Sequence, residues 1–137
     1  MSNREIVRYE LLTNTAANGT SAKVAMIQDF RHIGLTVATS TTWTTLTVKV
    51  KGSRVEEASS VDFTTSASQS NPWTYLQATR NDDWTNIAWA TWLVLSAISD
   101  WVYDLAVNVD WFNWITVEVR WYTAWDVSAN LIAYNNQ

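Results

Sequence analysis

Thr45-Leu46-Thr47-Val48-Lys49-Val50-Lys51 alternates strictly between apolar and polar residues. Leu46, Val48 and Val50 fall on one side of an extended chain, and Thr45, Thr47, Lys49 and Lys51 fall on the other. A period of two is that of a β-strand, whose successive side chains point to opposite faces. With one face apolar and the other carrying two lysines, the segment predicts a half-buried antiparallel strand whose polar face meets solvent.

The same period recurs outward from this stretch. Downstream it places Leu105, Val107 and Val109 on an inner face, then Ile115, Val117 and Val119 opposite Thr116, Glu118 and Arg120, then Val127, Ala129, Leu131 and Ala133. Upstream, Ile33-Gly34-Leu35-Thr36-Val37 alternates likewise. Strands are also predicted over residues 73–79 and 87–95, with a more ambiguous first one over residues 6–12. About eight strands at this spacing predict an all-β antiparallel sandwich of jelly-roll type. Residues 52–72 are rich in Ser, Thr, Ala, Glu and Asn, with only Val55, Val61 and Phe63 to bury, and predict a long loop or a crossover between sheets. Residues 13–21 read as a second loop. With 137 residues the chain suits one domain, 1–137, with residues 1–12 expected as an extended N-terminal arm.

Composition narrows the function. A net charge of -4 argues against a nucleic-acid partner held through phosphates, and the nine Lys and Arg residues are scattered rather than clustered. With no cysteine there is no disulfide, thiolate metal site or cysteine nucleophile, and one histidine excludes zinc sites built on several imidazoles. Residues 1–5 carry charge where a secretory signal needs an apolar core, so no export signal is expected. The longest apolar stretch, residues 87–98, is interrupted by Thr91 and Ser96 and is far short of the ~20 residues that span a bilayer. No membrane partner is expected.

The chain has 3 glycines and 10 tryptophans, and from residue 83 onward 8 tryptophans and no glycine. Trp84, Trp101, Trp111 and Trp125 lie between predicted strands, beside Asp82-Asp83, Asp100, Asp110 and Asp126. Hairpin turns favour positive φ at such places, as in Asp-Gly, and a bulky aromatic suits them poorly. Glycine at Trp84, Trp89, Trp92, Trp101, Trp111, Trp121 and Trp125 would give 10 glycines and 3 tryptophans, an ordinary composition. We therefore read Trp84, Trp101, Trp111 and Trp125 as glycine-like turn positions, as would arise from UGA, read as tryptophan in some genetic codes and glycine in others. The alternative is a tryptophan-rich surface. Trp43, Trp73 and Trp114 sit in strand-like contexts and read as aromatics on either account.

Catalytic chemistry finds little purchase. A serine nucleophile needs a base, His32 is the sole candidate, and its simpler reading is a polar residue ahead of the strand that opens at Ile33. The acidic residues Glu56-Glu57, Asp82-Asp83, Asp100, Asp104 and Asp110 read as solvated loop groups rather than a glycosidase pair. Asn81-Asp82-Asp83 lacks the ligand spacing of a calcium loop and reads as a turn. No phosphate-binding glycine loop is present, so no cofactor or metal is expected. Trp43, Trp73 and Tyr75 form the candidate surface for an interaction or for stacking on a sugar ring. Against a sugar platform, Trp121 shares the inward parity of Ile115, Val117 and Val119, whereas Trp114 shares that of Glu118.

The run Val107-Asn108-Val109-Asp110-Trp111-Phe112-Asn113-Trp114-Ile115-Thr116-Val117-Glu118-Val119, followed by Tyr122-Thr123-Ala124-Trp125-Asp126-Val127-Ser128-Ala129, resembles the last strands of small tailed-phage virion proteins. There an Asn-x-Asp-Gly strand end leads to a Trp-centred strand, an aromatic-Thr-Ala-Gly turn and a final strand. Leu46-Thr47-Val48-Lys49-Val50-Lys51-Gly52-Ser53 and Trp73-Thr74-Tyr75-Leu76-Gln77 are similar to that group too. The likeness covers the last two-thirds of the chain and departs at Trp111 and Trp125, where glycine is expected. It implies a non-enzymatic capsid decoration or minor virion protein, made in the host cytoplasm, that forms a homotrimer and binds the major capsid or another virion protein. In that reading the N-terminal arm, residues 2–8, and the 52–72 loop make the contacts. The rival expectation is a carbohydrate-binding or adhesin module of a fibre or tail.

Overall fold

A computed structural model describes residues 6–15, 19–21, 23–40, 45–80, 86–87, 93–96, 102–109, 112–120 and 126–135. The strands, in chain order, are β1 (Ile6–Thr15), β2 (Gly19–Thr20), β3 (Ala25–Met26), β4 (His32–Ser40), β5 (Thr45–Ser53), β6 (Thr74–Tyr75), β7 (Ala78–Arg80), β8 (Asn86–Ile87), β9 (Leu93–Ser96), β10 (Val102–Val107), β11 (Trp114–Arg120) and β12 (Asp126–Tyr134). They form two antiparallel sheets. The first has the order β1-β12-β4-β10-β7-β8, and in the second β11 and β5 are central, flanked by β2 and β3 on one side and by β6 and β9 on the other.

The pairing is nested. The outermost strands pair with each other, β1 with β12, and inside them β2 and β3 pair with β11, β4 with β10, and β5 with β9. A long hairpin folded onto itself in this way, with successive pairs in alternating sheets, is the jelly roll that the alternation predicts. The expected eight strands become twelve because 73–79 and 87–95 each give two strands in different sheets and because β2 and β3 are added; residues 13–21, expected as a loop, hold the end of β1 and all of β2.

The inner faces carry the apolar sets read from the sequence. Leu105, Val107 and Val109, Ile115, Val117 and Val119, and Ala129, Leu131 and Ala133 are buried, together with Ile33, Leu35 and Val37 of β4 and Val48 and Val50 of β5.

Other sequence expectations are changed or decided by the structure. Residues 6–12 are not a free arm: β1 is laddered to β12 from Ile6↔Tyr134 onward, and a bulge between Glu10 and Leu12 lets both Leu11 and Leu12 be buried. The segment 73–79 is not one strand, because Thr74 pairs with Gly52 in the second sheet while Ala78 pairs with Val107 in the first. The chain changes sheet at Leu76 and Gln77, where Leu76 N–H donates to Val50 and the Gln77 carbonyl accepts from Asn108. Finally, of the two readings of residues 52–72, the long loop is found and the crossover is not. The loop returns to its own strand as β6 and lies over the outer face of the second sheet.

The strands on either side of Trp101, Trp111 and Trp125 belong to different sheets, β9 and β10, β10 and β11, and β11 and β12. Those strands therefore do not pair with each other, whereas Trp84 falls between β7 and β8, which pair antiparallel in the first sheet. Trp84, Trp101, Trp111 and Trp125 themselves lie outside the described residues, as do Trp89, Trp92 and Trp121.

Candidate functional site

The outer face of the second sheet is where the structure departs furthest from the expected solvated surface. Lys49 and Glu118 are direct cross-strand partners, and Lys51 faces Thr116. All four are buried, as is Thr47. Lys51 Nζ and Glu118 Oε2 are 2.6 Å apart, with side chains 4% and 2% exposed. Lys51 Nζ also donates to Thr20 Oγ1 at 2.8 Å and to the Phe63 carbonyl at 2.7 Å. The Tyr75 hydroxyl lies 3.4 Å from both Glu118 oxygens. Removing two charges from water is costly, so a pair this deep persists only when its remaining bonding capacity is met, as it is here.

Residues 54–73 provide the cover. Phe63 is buried and packs at 6.4 Å, centroid to centroid, from Trp73. Trp73 Nε1 donates to the Thr65 carbonyl, and Trp114 Nε1 donates to the Val55 carbonyl, each at 3.0 Å. Asn71 is the internal tie of this loop: its Nδ2 donates to the Asp62 carbonyl, Thr65 Oγ1 and the Ser66 carbonyl, and its Oδ1 accepts from Asp62 N–H. Asp62 in turn accepts from the Thr64 hydroxyl and N–H. Those bonds, the hydroxyl's first, hold its carboxyl below the usual aspartate value of 3.8. The composition that made this segment read as featureless is what ties it together, because Asn, Asp, Ser and Thr bond locally to backbone.

Of the residues singled out for stacking, Trp73 and Tyr75 come together and Trp43 lies outside the described residues. The two rings meet edge to face at 5.1 Å and 83°. Lys51 Nζ sits 4.4 Å above the Trp73 ring, and Lys49 Nζ sits 3.8 Å above that of Tyr75. Each ring thus gives a face to an ammonium group, and the perpendicular pair offers no flat platform of two coplanar rings. Sequence reasoning missed the roles of Lys49, Lys51 and Glu118, and read Phe63 only as a residue to bury. The available signal was two lysines on one strand and a glutamate at the facing position of another.

Beside the cluster are two adjoining clefts. One of about 370 Å³ is lined by Gly52, Arg54, Val55, Pro72, Trp73 and Phe112 among others, and one of about 420 Å³ by Arg54, Tyr75, Gln77, Asn108 and Phe112. The Arg54 guanidinium stacks on Phe112 at 4.1 Å. No group of three or more metal-ligating side chains occurs among the described residues. His32 opens β4, exposed, with its ring stacked on Tyr134 at 5.3 Å.

No protein-family model matches the sequence. No curated protein matches it either. Among solved structures the chain is similar in fold to the SPBc2 prophage-derived protein YomS, with 18% identity and a TM-score of 0.59 over 98% of this chain and 96% of that one. It is similar also to the PBSX exported protein XepA, with 15% identity and a TM-score of 0.60 over 98% of this chain. The chain spans 39% of XepA. A fainter likeness, to infectious bursal disease virus Gx strain, has a TM-score of 0.49 and carries no weight. The likeness is therefore one of fold.

Proposed function

We propose that this chain is a non-enzymatic virion structural protein, which adds to a particle by binding copies of itself and a shell or tail protein. The observation that carries the reading is the end-to-end match to YomS, in which 98% of this chain overlies 96% of a prophage-derived protein. The sequence resemblance of β10 to β12 to small tailed-phage virion proteins points the same way. The buried cluster fits this role, since its charges and ring faces are spent on fixing residues 54–73 against the sheet, leaving the loop's exposed Thr, Ser and Gln side chains outward as a preformed surface.

Of the forms such a protein takes, capsid decoration is the one we favour. Its mechanism is mass action and area: a folded module seated across subunit junctions adds buried surface that must be exposed again before the shell opens. The test compares particles assembled with and without this chain. Particles that lack it are expected to release their genome at a lower temperature and to regain the higher one when purified protein is added back. Equal release temperatures, together with saturable glycan binding lost in Trp73→Ala, would replace decoration with the adhesin reading.

A further inference from the structure

β1 lies at the end of the first sheet, pairing on one side with β12 and with no described strand on the other. Such an edge presents its backbone to any chain that can align with it. Two of the exposed large apolar residues among the described ones, Ile6 (39%) and Met26 (40%), belong to β1 and to the segment tied to it. Ile6 opens β1, and Met26 is tied to it where the Tyr9 hydroxyl donates to the Met26 carbonyl at 3.1 Å.

We propose that β1 pairs antiparallel with β1 of a second copy, about a two-fold axis at Tyr9. Charge selects both the occupant and the register. Arg8 and Glu10 are exposed on the same face of β1. Centred on Tyr9, the pairing sets Arg8 of each copy opposite Glu10 of the other, two opposite-charge cross-strand pairs. One residue away, centred on Arg8, it would oppose Arg8 to Arg8, which is repulsive. A two-fold contact of this kind uses one patch twice and closes at two copies. It joins the first sheets of two sandwiches into one continuous sheet and leaves the 54–73 loops outward.

The chain has no cysteine, so Tyr9→Cys introduces a lone thiol. Directly opposed residues of antiparallel strands have Cα atoms about 4.5–5.5 Å apart, within disulfide reach. Under mild oxidation Tyr9→Cys is expected to run at twice the 15.6 kDa chain mass, whereas Val7→Cys, offset from its own copy, stays at the single mass. By light scattering, wild type is expected to dimerise. Arg8→Glu should raise the dissociation constant about tenfold, and Arg8→Glu with Glu10→Arg should bring it back towards wild type. Should Arg8→Glu fail to fold, the cysteine pair decides. A wild-type monomer, a trimer that Tyr9→Cys does not cross-link, or linkage through Val7→Cys instead overturns the proposal. The pairing rests on the virion reading for the role of self-association but puts a dimer where the resemblance implied a homotrimer, and its test needs only purified protein, so a monomer in solution and an absence from particles are separate failures.

Discussion

Lys51 and Glu118 illustrate how a residue's setting, not its type, fixes its role. In sequence both read as solvated strand residues. In the fold each is buried, and each supplies what the other lacks. Glu118→Ala leaves an ammonium group beneath the loop with only neutral acceptors and is expected to cost about 3–5 kcal/mol in denaturant unfolding. Lys51→Met with Glu118→Leu removes this ion pair and should cost less than Glu118→Ala, which strips the carboxylate from Lys51 and from the facing Lys49 together. Asp62 is a surface counterpart. Its lowered pKa means that its ionised form is stabilised by folding, a contribution complete above 3.8 and lost as pH falls through the lower folded value. Amide exchange at Thr64 and Thr65 should therefore speed up in that acidic window beyond its intrinsic pH dependence, and Asp62→Ala should remove the effect. The tryptophans between strands pose a residue-scale question raised by composition and by their positions, and it is answered by the residue found in native material.

At the scale of elements, the alternation that revealed β5, β11 and β12 could not say which face of a strand is covered, or by what. Lys49 and Lys51 have the polar pattern of a solvated face, yet the cover comes from a loop whose own sequence holds one large buried residue, Phe63. The break of 73–79 into β6 and β7 was hidden for a related reason, since period two continues through Leu76 while the chain leaves one sheet for the other. Gly52 is what permits that passage: a Cβ there would stand 2.9 Å from Leu76 Cδ1 and 3.0 Å from Phe112 Cδ1. Gly52→Val is expected to cost about 1–3 kcal/mol through overpacking. Phe63→Ala is expected to cost about 3 kcal/mol and to open residues 54–73 to proteolysis before the β1 to β12 ladder is lost.

For the whole molecule, the class of fold was legible because three consecutive C-terminal strands and β4 carry unambiguous period-two cores. The nesting was not, since it depends on pairings such as Ile6↔Tyr134 that join residues far apart in the chain. The same long-range pairing should make refolding slow, on the scale of milliseconds to seconds in stopped-flow fluorescence. The central proposal about function is that this sandwich, with one face covered by its own loop, associates with other copies and with a particle. Its most direct test is quantitative peptide mass spectrometry of particles sedimented from the native source. The account expects these peptides in lattice-scale amounts beside a major capsid protein, with glycine at positions 111 and 125. Peptides confined to the soluble or cell-surface fraction would contradict the virion role, and tryptophan at those two positions would contradict the recoding.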